Sequence, residues 1–164
     1  MKFKNLVLTL GVLMMLAFTS MAAAAPSQVN RSMTAINAAK AEIPAVCELV
    51  GYNVDGDISI ITFKDPNTLE RYVVDVNTAT AKVQEIEVKG ATFVMGSTMV
   101  TKTPDDIEKI VLKNYPNAYE IVITQGQDGN NIYYIADFLT DKFDGELKLD
   151  PVTGAICERE LEYF

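Results

Sequence analysis

The sequence predicts an α+β protein made of two successive units, each one helix packed on an antiparallel sheet of about four strands. Three observations carry this expectation. A helix-like segment ending at a proline occurs twice. Short stretches of alternating apolar and polar residues, separated by turn signals, follow each of them. The same order of signals then recurs along the chain, from Pro44 to Pro116 and from Asp75 to Asp150.

In the first unit, Ser32 can cap a segment that places Met33, Ile36, Ala39 and Ile43 along one side, and Pro44 stops it. Pro44-Ala45-Val46-Cys47-Glu48-Leu49-Val50 opens the first strand, which meets the hairpin signal Asp55-Gly56. A strand over 58–64 follows, then the turn Asp65-Pro66-Asn67 and a strand over 70–76. The corner Asp75-Val76-Asn77-Thr78-Ala79 leads into a last strand carrying Val83, Ile86 and Val88.

The second unit repeats the plan. Thr103-Pro104-Asp105-Asp106 supplies a capping hydroxyl, a proline at the first helical position and two carboxylates in the electropositive first turn. Ile107, Ile110, Val111 and Tyr115 share a face, and Pro116 ends the run. Pro116-Asn117-Ala118-Tyr119-Glu120-Ile121-Val122 aligns with the segment after Pro44 and sets Tyr119 in the place of Cys47. Asp128-Gly129, strands over 131–139 and 143–149, and the corner Asp150-Pro151-Val152-Thr153-Gly154 come next, before a strand with Ile156, Leu161 and Tyr163. In both last strands the apolar residues change parity midway, as a β-bulge would produce. Residues 89–102 read as a connector whose Phe93, Val94, Met95 and Met99 pack on something.

The N-terminus is an address. Lys2 and Lys4, an apolar run from Leu6 to Phe18 and the small residues Ala22 to Ala25 have the three regions of a secretory signal peptide, with cleavage expected after Ala24. The run is too short to span a hydrocarbon core of ~30 Å. The expected organisation is a signal at 1–24, a first unit at 25–90, and a connector with the second unit at 91–164. The mature protein is expected to be exported, periplasmic or extracellular, without a membrane anchor.

Of 14 basic and 22 acidic residues, the signal removes Lys2 and Lys4, leaving 12 against 22 and a net charge of −10. Nucleic acid and anionic lipid both need clustered Lys and Arg, so neither is an expected partner. Cys47 and Cys157 are the two cysteines, and export places them where disulfides persist. A bridge between them is the expected state, with two separate buried thiols as the alternative.

The chain has no histidine, which removes imidazole acid–base, nucleophilic and zinc chemistry. No catalytic residues, metal site or cofactor are expected. Asp105 and Asp106 read as helix-dipole complements, and Glu158, Glu160 and Glu162 as one solvated strand face. Asp55-Gly56-Asp57 and Asp128-Gly129-Asn130-Asn131 could offer oxygens to calcium but lack the spacing of a calcium loop. Tyr133 and Tyr134 should point to opposite sheet faces, one of them away from the helix, as a possible interaction surface unless that ring packs against the other unit.

The capped helices, the strands and the corners at Leu149-Asp150-Pro151-Val152-Thr153-Gly154 and Val74-Asp75-Val76-Asn77-Thr78 resemble tandem PepSY domains and related modules, similar in layout to secreted β-lactamase-inhibitory proteins. The first corner lacks the glycine. That resemblance implies a non-enzymatic binding module that inhibits or regulates an exported peptidase or other hydrolase. The alternative is a structural or ligand-holding envelope protein that binds a small molecule, peptide or cell-wall fragment between its units. Asp75, Thr78, Asp150, Pro151, Thr153 and Gly154 are expected to fix turns, since Asp and Thr side chains bond their own backbone.

Overall fold

Alternation along the strands decides the architecture: residues i and i+2 share a face, so each strand offers one apolar side to a common core. The computed structural model describes residues 28–90 and 96–164. The signal-peptide reading of 1–24 and the connector residues Phe93, Val94 and Met95 lie outside the described residues. In chain order the elements are α1 (Gln28–Ala41), β1 (Glu48–Asp55), β2 (Ile58–Lys64), β3 (Arg71–Asn77), β4 (Val83–Lys89), α2 (Pro104–Asn114), β5 (Tyr119–Asp128), β6 (Asn131–Leu139), β7 (Phe143–Leu149) and β8 (Ile156–Tyr163).

The strands form one eight-stranded antiparallel sheet in the order β1-β2-β3-β4-β8-β7-β6-β5. The two sheets of about four strands expected of the successive units are thus one continuous sheet. The final strand of each half would otherwise end in a row of unpaired N–H and C=O groups. Instead β4 and β8 pair with each other, Glu85 to Lys89 running against Glu162 to Glu158. Among the described strands, β1 and β5 are the edges.

α1 packs on β2 and β3, and α2 on β5 and β6. One buried cluster joins Ala35 and Ala39 of α1, Ile107 and Val111 of α2, and the sheet residues Ile61, Phe63, Val74, Ile86, Phe138, Leu147 and Leu161. α1 departs from its expected form. It already runs from Gln28, so Ser32 lies within it and does not cap it. Of its expected face, Ala39 and Ile43 are buried and Ile36 packs against the core, with Ala35 fully buried beside them, whereas Met33 is 53% exposed; alanine lets a helix lie close to a sheet. α2 follows expectation, with a full capping box: Asp106 N donates to Thr103 Oγ1 at 3.3 Å and Thr103 N to Asp106 Oδ2 at 3.0 Å.

The bulges expected from parity occur. Asp75 pairs with Glu85 but Val76 with Val83, which leaves Gln84 as the extra residue of β4. Lys148 pairs with Glu158 but Leu149 with Ile156, which leaves Cys157 as the extra residue of β8.

The corner at Asp150 is held by its own side chain. Oδ1 accepts from Val152 N at 3.0 Å, Thr153 N at 2.7 Å and Thr153 Oγ1 at 2.8 Å, while Gly154 takes a φ of 75°. Pro151 O accepts from Thr101 N and Lys102 N, tying the corner to the approach to α2. Its counterpart in the first half is offset from the expected one. Asn77, not Asp75, accepts from Ala79 N at 3.1 Å, Thr80 N at 2.9 Å and Thr80 Oγ1 at 3.0 Å, and Ala81 has φ 56°. Asp75 faces the side of the sheet away from the helices, opposite Glu85. Thr78 instead bonds Ser59 Oγ at 2.9 Å through its hydroxyl. A third corner of this kind opens the β2–β3 turn, where Asp65 Oδ1 accepts from Asn67 N and Thr68 N and Leu69 has φ 63°. The Asp-Pro-x-Thr string is thus a recurrent local turn.

No disulfide joins Cys47 to Cys157, which corrects the expected bridge. Cys47 stands just before the edge strand β1 and Cys157 on the central β8, with β2, β3 and β4 between them. Four strand spacings of ~4.8 Å far exceed the ~4.4–6.8 Å that a disulfide allows between Cα atoms. The counterpart of Cys47 is also not Tyr119. Cys47 N donates to Pro44 O as Ala118 N does to Tyr115 O, and Tyr119 is 45% exposed. Burial first, then the carboxylates of Asp65 and Glu70, pushes the Cys47 thiol pKa up.

Asp150→Ala should lower stability by about 1–3 kcal/mol through lost acceptors, while Asp150→Asn, the arrangement that Asn77 already uses, should lose less than half of that in urea melts; Ala81→Gly should gain ~0.5–1 kcal/mol by relieving the positive φ. Alkylation of the unfolded protein, purified without reductant, should add two alkyl groups by intact mass; a product that alkylates only after reduction contradicts the separation of the thiols.

Candidate functional site

The side of the sheet away from the helices carries an ordered array of charge. Across β3, β4, β8 and β7, cross-strand pairing sets Asp75 opposite Glu85, Glu85 opposite Glu162, and Glu162 opposite Asp144. The adjacent row on the same face runs Glu87, Glu160, Glu146, Asp137. A third row holds Lys64, Arg71, Lys89, Glu158 and Lys148.

Like charges directly opposite one another in a sheet are destabilising. Here every adjacent pair in the two acidic rows is carboxylate against carboxylate. Basic residues reach only part of the array: Lys89 Nζ lies 2.6 Å from Glu87 and 3.7 Å from Glu158, and Lys148 Nζ lies 3.1 Å from Glu158 and 3.6 Å from Glu146. Desolvation, then the charges of Glu160, Asp75, Glu162 and Glu87, raises the pKa of Glu85. Glu160 is raised by desolvation and by Glu146, Glu162 and Glu87, with Lys148 opposing. Asp75 is raised by desolvation and Glu87. A depression of about 160 Å³ lies among Asp137, Asp144, Glu146, Glu160 and Glu162.

The expected site residues fall into three places. Tyr134 faces the core, 2% exposed, with its hydroxyl donating to Lys102 O at 2.8 Å. Tyr133 points to the open face, as alternation requires, where its ring lies over Gly126 of β5; a Cβ there would come within 2.3 Å of Tyr133 Cζ. The residues Thr78, Asp150, Pro151, Thr153 and Gly154 belong to corners, away from the acidic rows. Asp75 was expected as a corner residue and belongs instead to the array.

Sequence reading found one strand of the array, Glu158, Glu160 and Glu162, and missed the rest. The signal was present as alternate acids in Glu85-x-Glu87 and Asp144-x-Glu146. It becomes meaningful only when β4 lies beside β8. Among the described residues no group of three His, Cys, Asp or Glu could hold a metal ion, the Asp55 and Asp128 turns included. No helix among the described residues is long and apolar enough to cross a membrane.

No protein-family model matches the chain, so the PepSY resemblance gains no support, and no curated protein matches it. Among solved structures, a BLIP-like protein from Bacteroides fragilis aligns at a TM-score of 0.35 and 10% identity, covering 79% of this chain and 85% of its own. A candidate lipoprotein from Clostridium difficile aligns at 0.32 and 18% identity, covering 78% and 90%. At these scores the likeness carries no argument about function.

The charge array has a measurable cost. Carboxylates whose folded pKa is raised bind protons more tightly folded than unfolded, so their contribution is present below the unfolded value near ~4 and is lost as pH rises through the folded values. Asp150 acts oppositely: burial would raise it, but the bonds from Thr153 and Val152 prevail and lower it, so its contribution is lost as pH falls through its folded value. At low ionic strength the melting temperature should therefore be higher at pH ~5 than at pH ~8, and ~0.5 M salt should shrink the difference. A melting temperature that falls over the same acid step would contradict the array.

Proposed function

We propose that this chain is an exported, non-enzymatic binding module that docks a basic protein surface on the open face of its sheet, the partner being an exported peptidase or other hydrolase that it inhibits or regulates. The observation that carries this reading is the double row of opposed carboxylates. A protein that keeps such repulsion in the middle of its sheet gains when a partner brings positive charge to it, because neutralising the array relieves the internal repulsion and forms new ion pairs together. Charge of this order also steers a basic partner and speeds association at low salt.

The signal-like N-terminus supports export of residues after Ala24. The missing histidine supports a non-enzymatic role. The paired helix-and-four-strand order supports reading residues 25–90 and 91–164 as two related units, and Tyr133 adds an aromatic ring to the docking face. No nucleic acid, cofactor or membrane partner is part of the proposal.

Immobilised mature chain should retain a basic exported hydrolase, slow its turnover, and release it between ~0.1 and ~0.5 M salt. The triple variant Glu146→Gln, Glu160→Gln, Glu162→Gln should melt no lower than the native chain, because it removes repulsion, yet bind at least about tenfold more weakly, the ratio set by ~1.4 kcal/mol. Equal retention by the triple variant, or no hydrolase retained at all, would remove the proposal.

A further inference from the structure

The opposite side of the sheet holds a second feature that the docking proposal does not use. Between the helices, over β4 and β8, runs a groove of about 450 Å³, within the usual size range of small-molecule sites. Its lining is aromatic and charged at once. Phe143 stands 5.9 Å from Tyr115 and 5.4 Å from Tyr163 between ring centroids, and Tyr72 closes the other flank.

Three charges lie among these rings. Arg159 occupies a core-side row between Val88 and Leu147, both buried, where an apolar residue is expected. Its Nη1 is 3.3 Å from Glu70 Oε1, and Tyr72 OH donates to Glu70 Oε2 at 2.9 Å, so the guanidinium charge is answered inside the protein. Glu42, beyond the end of α1, accepts from Tyr163 OH at 3.2 Å. Among the described residues no lysine or arginine lies within ion-pair distance of it. The groove therefore holds one carboxylate in excess, beside four ring systems. Burial first, then the charge and bond of Glu42, pushes the Tyr163 pKa up to about 12, so that hydroxyl stays a neutral donor.

An anion entering here would meet Glu42 and find Arg159 already taken by Glu70. A cation with an apolar body meets the reverse: a carboxylate with no cationic partner among the described residues, ring faces that attract positive charge, and an apolar floor at Val88 and Leu161. We propose that this groove binds small organic cations, an ammonium group on an aromatic or aliphatic body, with the ammonium against Glu42 and Tyr163 and the body along Phe143 and Tyr115.

The test compares phenethylammonium with 3-phenylpropionate, similar in size and opposite in charge, by calorimetric titration of the mature protein. Phenethylammonium should bind saturably and phenylpropionate should not. Glu42→Gln, a change at an exposed position that leaves the core untouched, should weaken the ammonium about tenfold, or ~1.4 kcal/mol, while Glu160→Gln on the opposite face leaves it unchanged. Equal or tighter binding of phenylpropionate, no binding of either probe, or ammonium binding that is insensitive to Glu42→Gln would overturn the proposal. Loss of ammonium binding on Glu160→Gln alone would move the cation to the open face and overturn it as well. Because the two surfaces lie on opposite sides of the sheet, failure here leaves the docking proposal standing, and the reverse also holds.

Discussion

The pairing of β4 with β8 is the constraint on which the remaining structure depends. Each half of the chain ends on a strand whose outer edge would otherwise be open, and the five paired positions from Glu85 to Lys89 close both edges together. On the core side this seam sets Ile86 against Leu161 and carries the buried cluster from one helix to the other. On the open side it sets Glu85 against Glu162 and Glu87 against Glu160. The acidic rows and the groove between the helices are thus two consequences of one junction.

The junction balances unlike terms. Backbone pairing and apolar burial hold it, whereas the carboxylates facing each other across it oppose it. A sheet selected for stability alone would alternate charge sign across the seam, as the third row does with Lys89, Glu158 and Lys148. That the neighbouring two rows do not is the physical basis for the proposal that they act in recognition. The corners sit outside this contest: Asp65, Asn77 and Asp150 satisfy their own turns locally and position strands without entering either surface.

Much of the local structure was legible in the sequence. The capping box at Thr103 and Asp106, the hairpins at Gly56 and Gly129, the opposite orientations of Tyr133 and Tyr134, and the bulges foretold by the parity of Val83 with Ile86 and of Ile156 with Leu161 all rest on interactions between near neighbours. What was not legible depended on distant pairing. The joining of two groups of strands into one sheet, the separation of Cys47 from Cys157 and the role of Asp75 each follow from the seam, which leaves no local mark. The corner of the first half was displaced for another reason: asparagine accepts the same three hydrogen bonds as aspartate, so Asn77 took the role that the alignment of Asp75 with Asp150 suggested for the acid.

The measurement that reaches the central claim most directly is a site-resolved NMR titration of the Glu160 carboxyl, in the native chain and in Glu87→Gln. Glu160 lies on β8 and Glu87 on β4, so any coupling between them crosses the seam. The account predicts a pKa for Glu160 above the ordinary glutamate value of about 4.3 and a fall toward it when Glu87 loses its charge. A Glu160 that titrates at or below the ordinary value, or that is indifferent to Glu87, would contradict both the seam and the acidic face built on it.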